Sequence, residues 1–211
     1  MKLTRLFSIV FFVSGIAANA LAQYPDPSLM NKKEYAEYSI QHLKEGSLLV
    51  RLNFKTKAID LLEQAGNKTG AEEMRSIQLE ENKAIMNAFK SYFTFCPVYF
   101  FSIDSTEALL RGARQGYFLN FDLKVDPSIS VKTPFVMVAE FGVLETALPA
   151  DKTQPEQEEN RRGLMADALM VRDNQLKLLE KPFPYYVHLG NLETRVKKLD
   201  KHLRRYYTEV K

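Results

Sequence analysis

Residues 47–53 read SLLVRLN, and residues 96–103 read CPVYFFSI. Each is a short apolar run, and a single arginine interrupts the first, which favours a strand buried on both faces. Between them, residues 58–65 and 74–92 carry apolar side chains at helical spacing. A long helical crossover between two buried strands is typical of a parallel pair with a right-handed connection. The sequence therefore predicts a parallel β-α-α-β unit.

The rest of the chain extends this unit into one α/β domain, expected over residues 33–211. Apolar spacing predicts further helices and strands at residues 33–44, 105–112, 117–121 and 135–141. Residues 166–180 (ADALMVRDNQLKLLE) predict a hairpin, because the Asp and Asn between its two apolar runs tolerate turn geometry. An extended segment with two prolines and a helix capped by Asn191 follow. The expected fold is thus a mixed central sheet with the β-α-α-β unit, a C-terminal hairpin and a closing C-terminal helix.

Residues 1–22 have the pattern of a secretory signal peptide, with two early basic residues, an apolar run and the sequence Ala-Leu-Ala before the cut. The apolar run is too short to span a bilayer comfortably, although a retained N-terminal anchor is the alternative. No cysteine stands at the cut to carry a lipid. Residues 23–32 contain two prolines and are expected to form a flexible leader. Export to the periplasm or the medium follows, with no transmembrane span after cleavage.

Charge balance and cysteine count limit the possible partners. The formal charge is +3, or +1 once Lys2 and Arg5 leave with the signal peptide, so no nucleic-acid partner is expected. The single cysteine, Cys96, cannot close an internal disulfide. Its neighbours in residues 93–102 (FTFCPVYFFS) are mostly aromatic or aliphatic. Such surroundings disfavour a thiolate, so Cys96 is expected to be buried and unreactive.

Local motifs of common catalytic and cofactor sites are missing from the sequence. His42, His188 and His202 lack the spacings of metal ligands, and neither a dinucleotide-binding nor a phosphate-loop glycine pattern occurs. The nucleophile pattern G-x-S-x-G is missing as well. No metal and no cofactor are therefore expected. A non-enzymatic function is favoured, while a triad assembled from distant positions stays open.

Six residues are candidates for a binding site: Arg51, Asp104, Glu140, Tyr185, Tyr186 and His188. A buried Arg51 would need a carboxylate partner, and we expect Asp104 at the end of the next strand to supply it. Glu140 follows an apolar run and could act as a general acid or base, although a surface ion pair or a helix cap is simpler. The basic residues after Asn191 could contact an acidic partner or anionic headgroups, or they could merely favour the helix dipole.

Three segments carry a resemblance: LLVRLNFKTKAIDLL (48–62), FCPVYFF (95–101) and EKPFPYYV (180–187). Together they resemble a group of short exported bacterial proteins that carry no assigned activity. The likeness covers most of the mature chain but rests on apolar core segments, so it implies kinship without implying chemistry. The closing order of hairpin, proline-containing strand and helix also looks like the second half of a thioredoxin fold, without the redox cysteine pair of that family.

Three functions are open at this point, and one of them is that the domain serves mainly as an assembly subunit, which the mass in solution would test. The first is an exported envelope protein that binds a protein or peptide partner without catalysis, through Tyr185, Tyr186, His188 and the basic last helix. The alternative is a periplasmic hydrolase or a redox-inactive thioredoxin-like protein. It would act on a small substrate at the carboxyl ends of the parallel strands, where open α/β sheets bind ligands. Convergence of Arg51, Asp104, Glu140 and His188 would favour the alternative. The oligomeric state is not predicted by any pattern.

Overall fold

The two apolar runs that led to the fold prediction form neighbouring parallel strands, Ser47–Leu52 (β1) and Val98–Ser102 (β2). The computed structural model describes residues 29–146 and 164–211 of the chain. The predicted signal peptide (1–22) and most of the predicted leader (23–28) lie outside these residues, as does segment 149–163, whose polar and charged composition predicts a solvated loop.

Within the described residues the chain forms five α-helices and five strands. The helices are Lys32–Glu45 (α1), Thr56–Gln64 (α2), Lys68–Tyr92 (α3), Thr106–Leu110 (α4) and Leu192–Val210 (α5). The other strands are Val136–Thr146 (β3), Leu164–Arg172 (β4) and Tyr186–Val187 (β5). None of these helices is both long enough and apolar enough to cross a bilayer.

The five strands form one mixed sheet in the order β2-β1-β3-β4-β5. Strand β1 is parallel to both of its neighbours, and β4 is antiparallel to both of its own. The helices α2 and α3 provide the crossover from β1 to β2. The predicted α/β class is therefore confirmed, with its parallel β-α-α-β unit, its antiparallel C-terminal strands and its last helix.

Side-chain caps fix where the longer helices begin. Asn31 and Glu34 cap α1 reciprocally, because each side chain accepts a hydrogen bond from the backbone N–H of the other residue. Asn191 caps α5 as predicted. The spacing of Thr69 and Glu72 in the sequence predicts a capping box at the start of α3, and this prediction is wrong, since the Asn67 side chain caps α3 instead and the helix begins at Lys68.

One predicted strand and one predicted helix take a different form. Residues 117–121 make only isolated bridges, and the rings of Tyr117 and Phe118 stack with centroids 4.3 Å apart. Consecutive side chains of a strand point to opposite faces, so this stacking is incompatible with regular strand geometry. The helix predicted at 105–112 is a 3₁₀ turn, Ile103–Ser105, followed by the short α4.

Apolar side chains are buried on both faces of the sheet. The first face lies under α1, α3 and α5, and its strand residues include Leu48, Val50 and Val187. On the second face, Leu49 packs with side chains of β2, β3, α4 and the 113–131 region. A strand that is buried on both sides needs an uninterrupted apolar run. Arg51 breaks that run in β1, on the face it shares with Leu49.

Cys96 lies in the loop between α3 and β2 and belongs to the core of the first face, with 8% of its surface exposed. Burial raises the pKa of its thiol to about 12, although the Leu48 backbone and the Lys44 ammonium oppose this shift. The thiol is therefore protonated at neutral pH, and its predicted burial is confirmed.

Candidate functional site

Three charged side chains form an ion cluster on the second face of the sheet. Arg51 of β1 donates from Nε to Oε2 of Glu140 on β3 at 2.7 Å, and its Nη2 contacts the same oxygen. Arg172 of β4 donates from Nε to the other oxygen, Oε1, at 2.5 Å. Glu140 is 8% exposed, and the arginine side chains are 16% and 25% exposed. The carboxylate therefore ties three strands together and has a guanidinium group on each oxygen.

The partner predicted for Arg51 is wrong, since the structure pairs Arg51 with Glu140 and not with Asp104. Strand register gives the reason: Arg51 lies directly opposite Glu140 on β3. Asp104 instead follows β2 in the 3₁₀ turn, where it accepts hydrogen bonds from Thr56 at 2.8 Å and from Ser102 at 3.1 Å.

Arg172 is a member of the cluster that the sequence did not reveal. The apolar pattern of residues 166–180 predicts Arg172 in the turn of the hairpin, whereas it is the last residue of β4. A second guanidinium contact, from Nη1 to the Leu176 carbonyl at 3.1 Å, holds it in place. No local sequence pattern predicts that Arg172 binds Glu140. The contact depends on the pairing of β3 with β4, and residues 147–163 separate these two strands in the chain.

A cavity of about 610 Å³ lies at the carboxyl ends of β1 and β2. Its polar lining comes from the two strand-end loops and the starts of α2 and α4: Asn53, Lys55, Thr56, Lys57, Asp104, Thr106 and Glu107. Of the four residues whose convergence would favour an enzyme, only Asp104 lines this cavity. Arg51 and Glu140 bind each other on the second face, and His188 lies beyond β5 at the edge of the sheet.

Tyr185, Tyr186 and His188 come together along one groove at the sheet edge, which we call the β5 groove. It has a volume of about 690 Å³ and is lined by residues 181–189 together with Lys198 and His202 of α5. The sequence indicated Tyr185, Tyr186 and His188 as candidates because they lie at the end of a predicted strand. Lys198 belongs to the basic last helix that the sequence linked to the same binding function, whereas the sequence did not indicate His202, which joins the groove because α5 packs beside β5.

Aromatic rings give the β5 groove its apolar wall. The ring centroids of Tyr185 and Tyr186 are 4.8 Å apart, and the His188 ring stacks on Tyr186 at 5.6 Å. Burial raises the pKa of the Tyr185 hydroxyl, and the neighbouring Tyr186 and Glu180 add to the shift. Phe183, which is buried, also lines the groove.

The charged side chains that line the β5 groove are all basic: Lys181, Lys198 and, when protonated, His188 and His202. Lys198 donates from Nζ to the Leu189 carbonyl at 3.2 Å, which holds its ammonium group beside the groove. Partial burial lowers the pKa of His202, and nearby cations on α5 lower it further. Among the described residues that line this groove there is no Asp or Glu.

Several other cations of α5 are already engaged within the protein. The Lys197 ammonium lies 3.8 Å from the centre of the Tyr92 ring, and Arg195 donates to the Gly190 carbonyl at 2.9 Å. Arg205 pairs with Glu209 at 2.8 Å. Of the lysines and arginines of α5, Lys198 is the one that lines the β5 groove.

Comparison with protein-family models, with curated proteins and with solved structures returns no significant match for this chain. Both resemblances drawn from the sequence therefore stay predictions, and the function is argued from geometry. Within residues 29–146 and 164–211, no group of three or more His, Cys, Asp or Glu side chains is arranged to hold a metal ion.

Proposed function

We propose that this protein is an exported binding module of the cell envelope and that the β5 groove is its binding site. Export is supported by the signal-peptide pattern of residues 1–22. The groove is the observation that carries the binding function. Its volume of about 690 Å³ is in the range of ligand sites, and its apolar wall with a few polar groups has their usual composition.

The lining defines the chemistry of the ligand. Tyr185 and Tyr186 offer large apolar surfaces that also carry hydroxyl groups, a combination enriched at binding surfaces. Lys181 and Lys198 attract negative charge, and the groove contains no carboxylate to repel it. The ligand is therefore an anion with an apolar or aromatic part.

A catalytic function has less support from the same geometry. Arg51 and Glu140 converge, but they occupy each other's hydrogen-bonding groups. Asp104 and His188 lie at two other places on the molecule. General acid–base chemistry needs its groups within hydrogen-bond reach of one substrate, which this arrangement does not provide.

The aromatic sulfonate dye 1-anilinonaphthalene-8-sulfonate tests the proposed function. We expect saturable binding with one dye per chain, and Lys198→Ala to weaken it about threefold. Leu189→Ser should also weaken it, since Leu189 is 61% exposed and lines the groove. The measurement is a fluorescence titration at low ionic strength.

Matched control variants are available on the same protein. Lys201→Ala removes a basic residue of α5 outside the β5 groove, and Leu61→Ser changes a leucine of α2 that is 65% exposed. Neither substitution should alter dye affinity at pH 8, where the His202 imidazole, whose pKa Lys201 helps to lower, is neutral. The proposal fails if binding does not saturate, or if the groove variants and the controls bind the dye equally.

A further inference from the structure

Strand β5 is an edge of the sheet, and both of its residues, Tyr186 and Val187, line the β5 groove. The sheet order places β4 on only one side of β5. Pairing with β4 covers two positions, Leu169 with Val187 and Met170 with Tyr186. An edge strand exposes a row of backbone donors and acceptors that can pair with another strand.

The hydrogen-bond pattern shows which backbone groups face the groove. The Val171 N–H donates to the Tyr185 carbonyl at 2.7 Å, so Tyr185 directs its backbone toward β4. Backbone groups alternate along a strand, which turns those of Val187 toward β4 and those of Tyr186 away from it. The N–H and C=O of Tyr186 therefore point to the outer side of the sheet, where the next outward position is His188.

The two faces beside this edge differ in chemistry. On the first face, Lys198 and His202 project from α5, which packs over that side of the sheet. On the second face, the Tyr186 ring contacts a small apolar cluster that includes Met170. A strand added next to β5 would send alternate side chains to these two faces.

From these placements we propose that the β5 groove binds an extended peptide in which acidic and apolar residues alternate, and that the peptide adds to β5 as a further strand. The acidic side chains face Lys198 and His202, and the apolar ones face the Tyr186 ring. Main-chain pairing supplies affinity, and the pockets for alternate side chains supply specificity. This inference rests on the proposed function, because it names the ligand class of the same groove.

A peptide fits this groove better than a fatty acid or another anionic amphiphile does. An acyl chain could lie against Pro182, Pro184 and Tyr186, but it has no donor or acceptor for the outward backbone of Tyr186. A peptide main chain offers both groups at strand spacing. The groove also follows the continuous segment 181–189, which suits an elongated ligand.

The test uses the full mature chain and acetylated, amidated hexapeptides that alternate glutamate with phenylalanine or valine. Both registers are made, one beginning with the acidic residue and one with the apolar residue. A peptide of the same composition, with the three glutamates placed together, is the control. We expect at least one alternating register to displace the dye from the groove and to bind measurably in calorimetry, and the control to bind at least about fivefold more weakly.

Backbone methylation then separates strand pairing from simple charge attraction. The bound peptide is methylated on the amide nitrogens of either its odd or its even residues, which blocks one edge of the strand at a time. One isomer should lose affinity by about tenfold or more, because its hydrogen bonds to β5 are gone, and the other should keep it. Equal binding by the two methylated isomers overturns the inference.

The remaining outcomes keep the two proposals distinguishable. If decanoate displaces the dye and neither alternating peptide does, the strand inference fails while the groove function stands. If the control peptide binds as well as the alternating ones, the inference also fails. Failure of the proposed function itself is recognised earlier, by equal dye binding in the Lys198→Ala and Lys201→Ala variants.

Discussion

At the scale of single residues, the cluster of Arg51, Glu140 and Arg172 places one negative charge between two positive ones in a partly buried position. Charges that leave water need partners whose geometry offsets the loss of hydration. Glu140 meets that requirement for both arginines, because each of its oxygens accepts from a different guanidinium group.

Substitution Glu140→Gln should therefore destabilise the fold by about 3 kcal/mol. The amide keeps the size of the side chain but removes the charge, which leaves two guanidinium groups beside each other without a counterion. The free energy of unfolding is measured by urea denaturation followed by circular dichroism.

The control for this prediction is Glu63→Gln, which removes a carboxylate that pairs with Arg75 on the surface. Exposed ion pairs contribute little to stability, so this variant should unfold close to the wild-type midpoint. A Glu140→Gln protein with unchanged stability would contradict the role assigned to the cluster.

At the scale of secondary-structure elements, Asp200 fastens α5 to the loop that follows α3. Its Oδ1 accepts from the Thr94 N–H at 2.7 Å, and its Oδ2 accepts from Arg204 Nε at 2.7 Å. Arg204 also donates to the Thr94 hydroxyl at 2.5 Å. Asp200 is mostly buried, so these hydrogen bonds fix the position of α5 relative to the loop at the end of α3.

Substitution Asp200→Ala should cost about 2 kcal/mol of unfolding free energy, because it removes a charged acceptor and leaves the Thr94 N–H without its partner. Hydrogen exchange at the Thr94 amide should accelerate as well. Glu209→Ala is the control, since Glu209 pairs with Arg205 at the same helical spacing on the surface. Equal stability of the two variants would contradict this role for Asp200.

Elements with a local cause were predictable from the sequence. Strand β1 is predicted by a short apolar run that only Arg51 interrupts, and α5 by its Asn191 cap and its apolar stripe. Residues 117–121 have the composition of a strand, but stacking of Tyr117 on Phe118 gives them irregular structure. Tertiary packing determines the conformation of residues 117–121, and no local sequence pattern predicts it.

At the scale of the whole molecule, the candidate site was predictable only in part. Tyr185, Tyr186 and His188 are neighbours in the sequence, so their position at a strand end indicated one wall. Lys198 and His202 join them because α5 packs beside β5. In the same way, pairing of Arg51 with Glu140 depends on β3 lying next to β1, and strand order is not encoded near either residue.

Binding of an anion in the β5 groove should strengthen as the pH falls. Partial burial lowers the pKa of His202 from its usual value of 6.5, and the positive charges of Arg205, Lys198 and Lys201 lower it further. The imidazole is therefore neutral at pH 7. Protonation adds a positive charge to the groove, and a bound anion favours the protonated form by linkage. Dye affinity should therefore rise between about pH 7 and pH 5, since a sulfonate stays ionised over this range while the imidazole titrates.

The variant His202→Gln separates this effect from other titrations. It keeps a polar side chain of similar reach at a position that lines the groove. We expect the rise in affinity at low pH to become smaller in the variant, while affinity at pH 8 changes little because the wild-type imidazole is neutral there. Lys201→Ala should retain the rise and shift it slightly toward higher pH, since removing that cation relieves part of the depression of the His202 pKa. An affinity that is independent of pH in the wild-type protein, or an equal rise in His202→Gln, would place the anion away from His202.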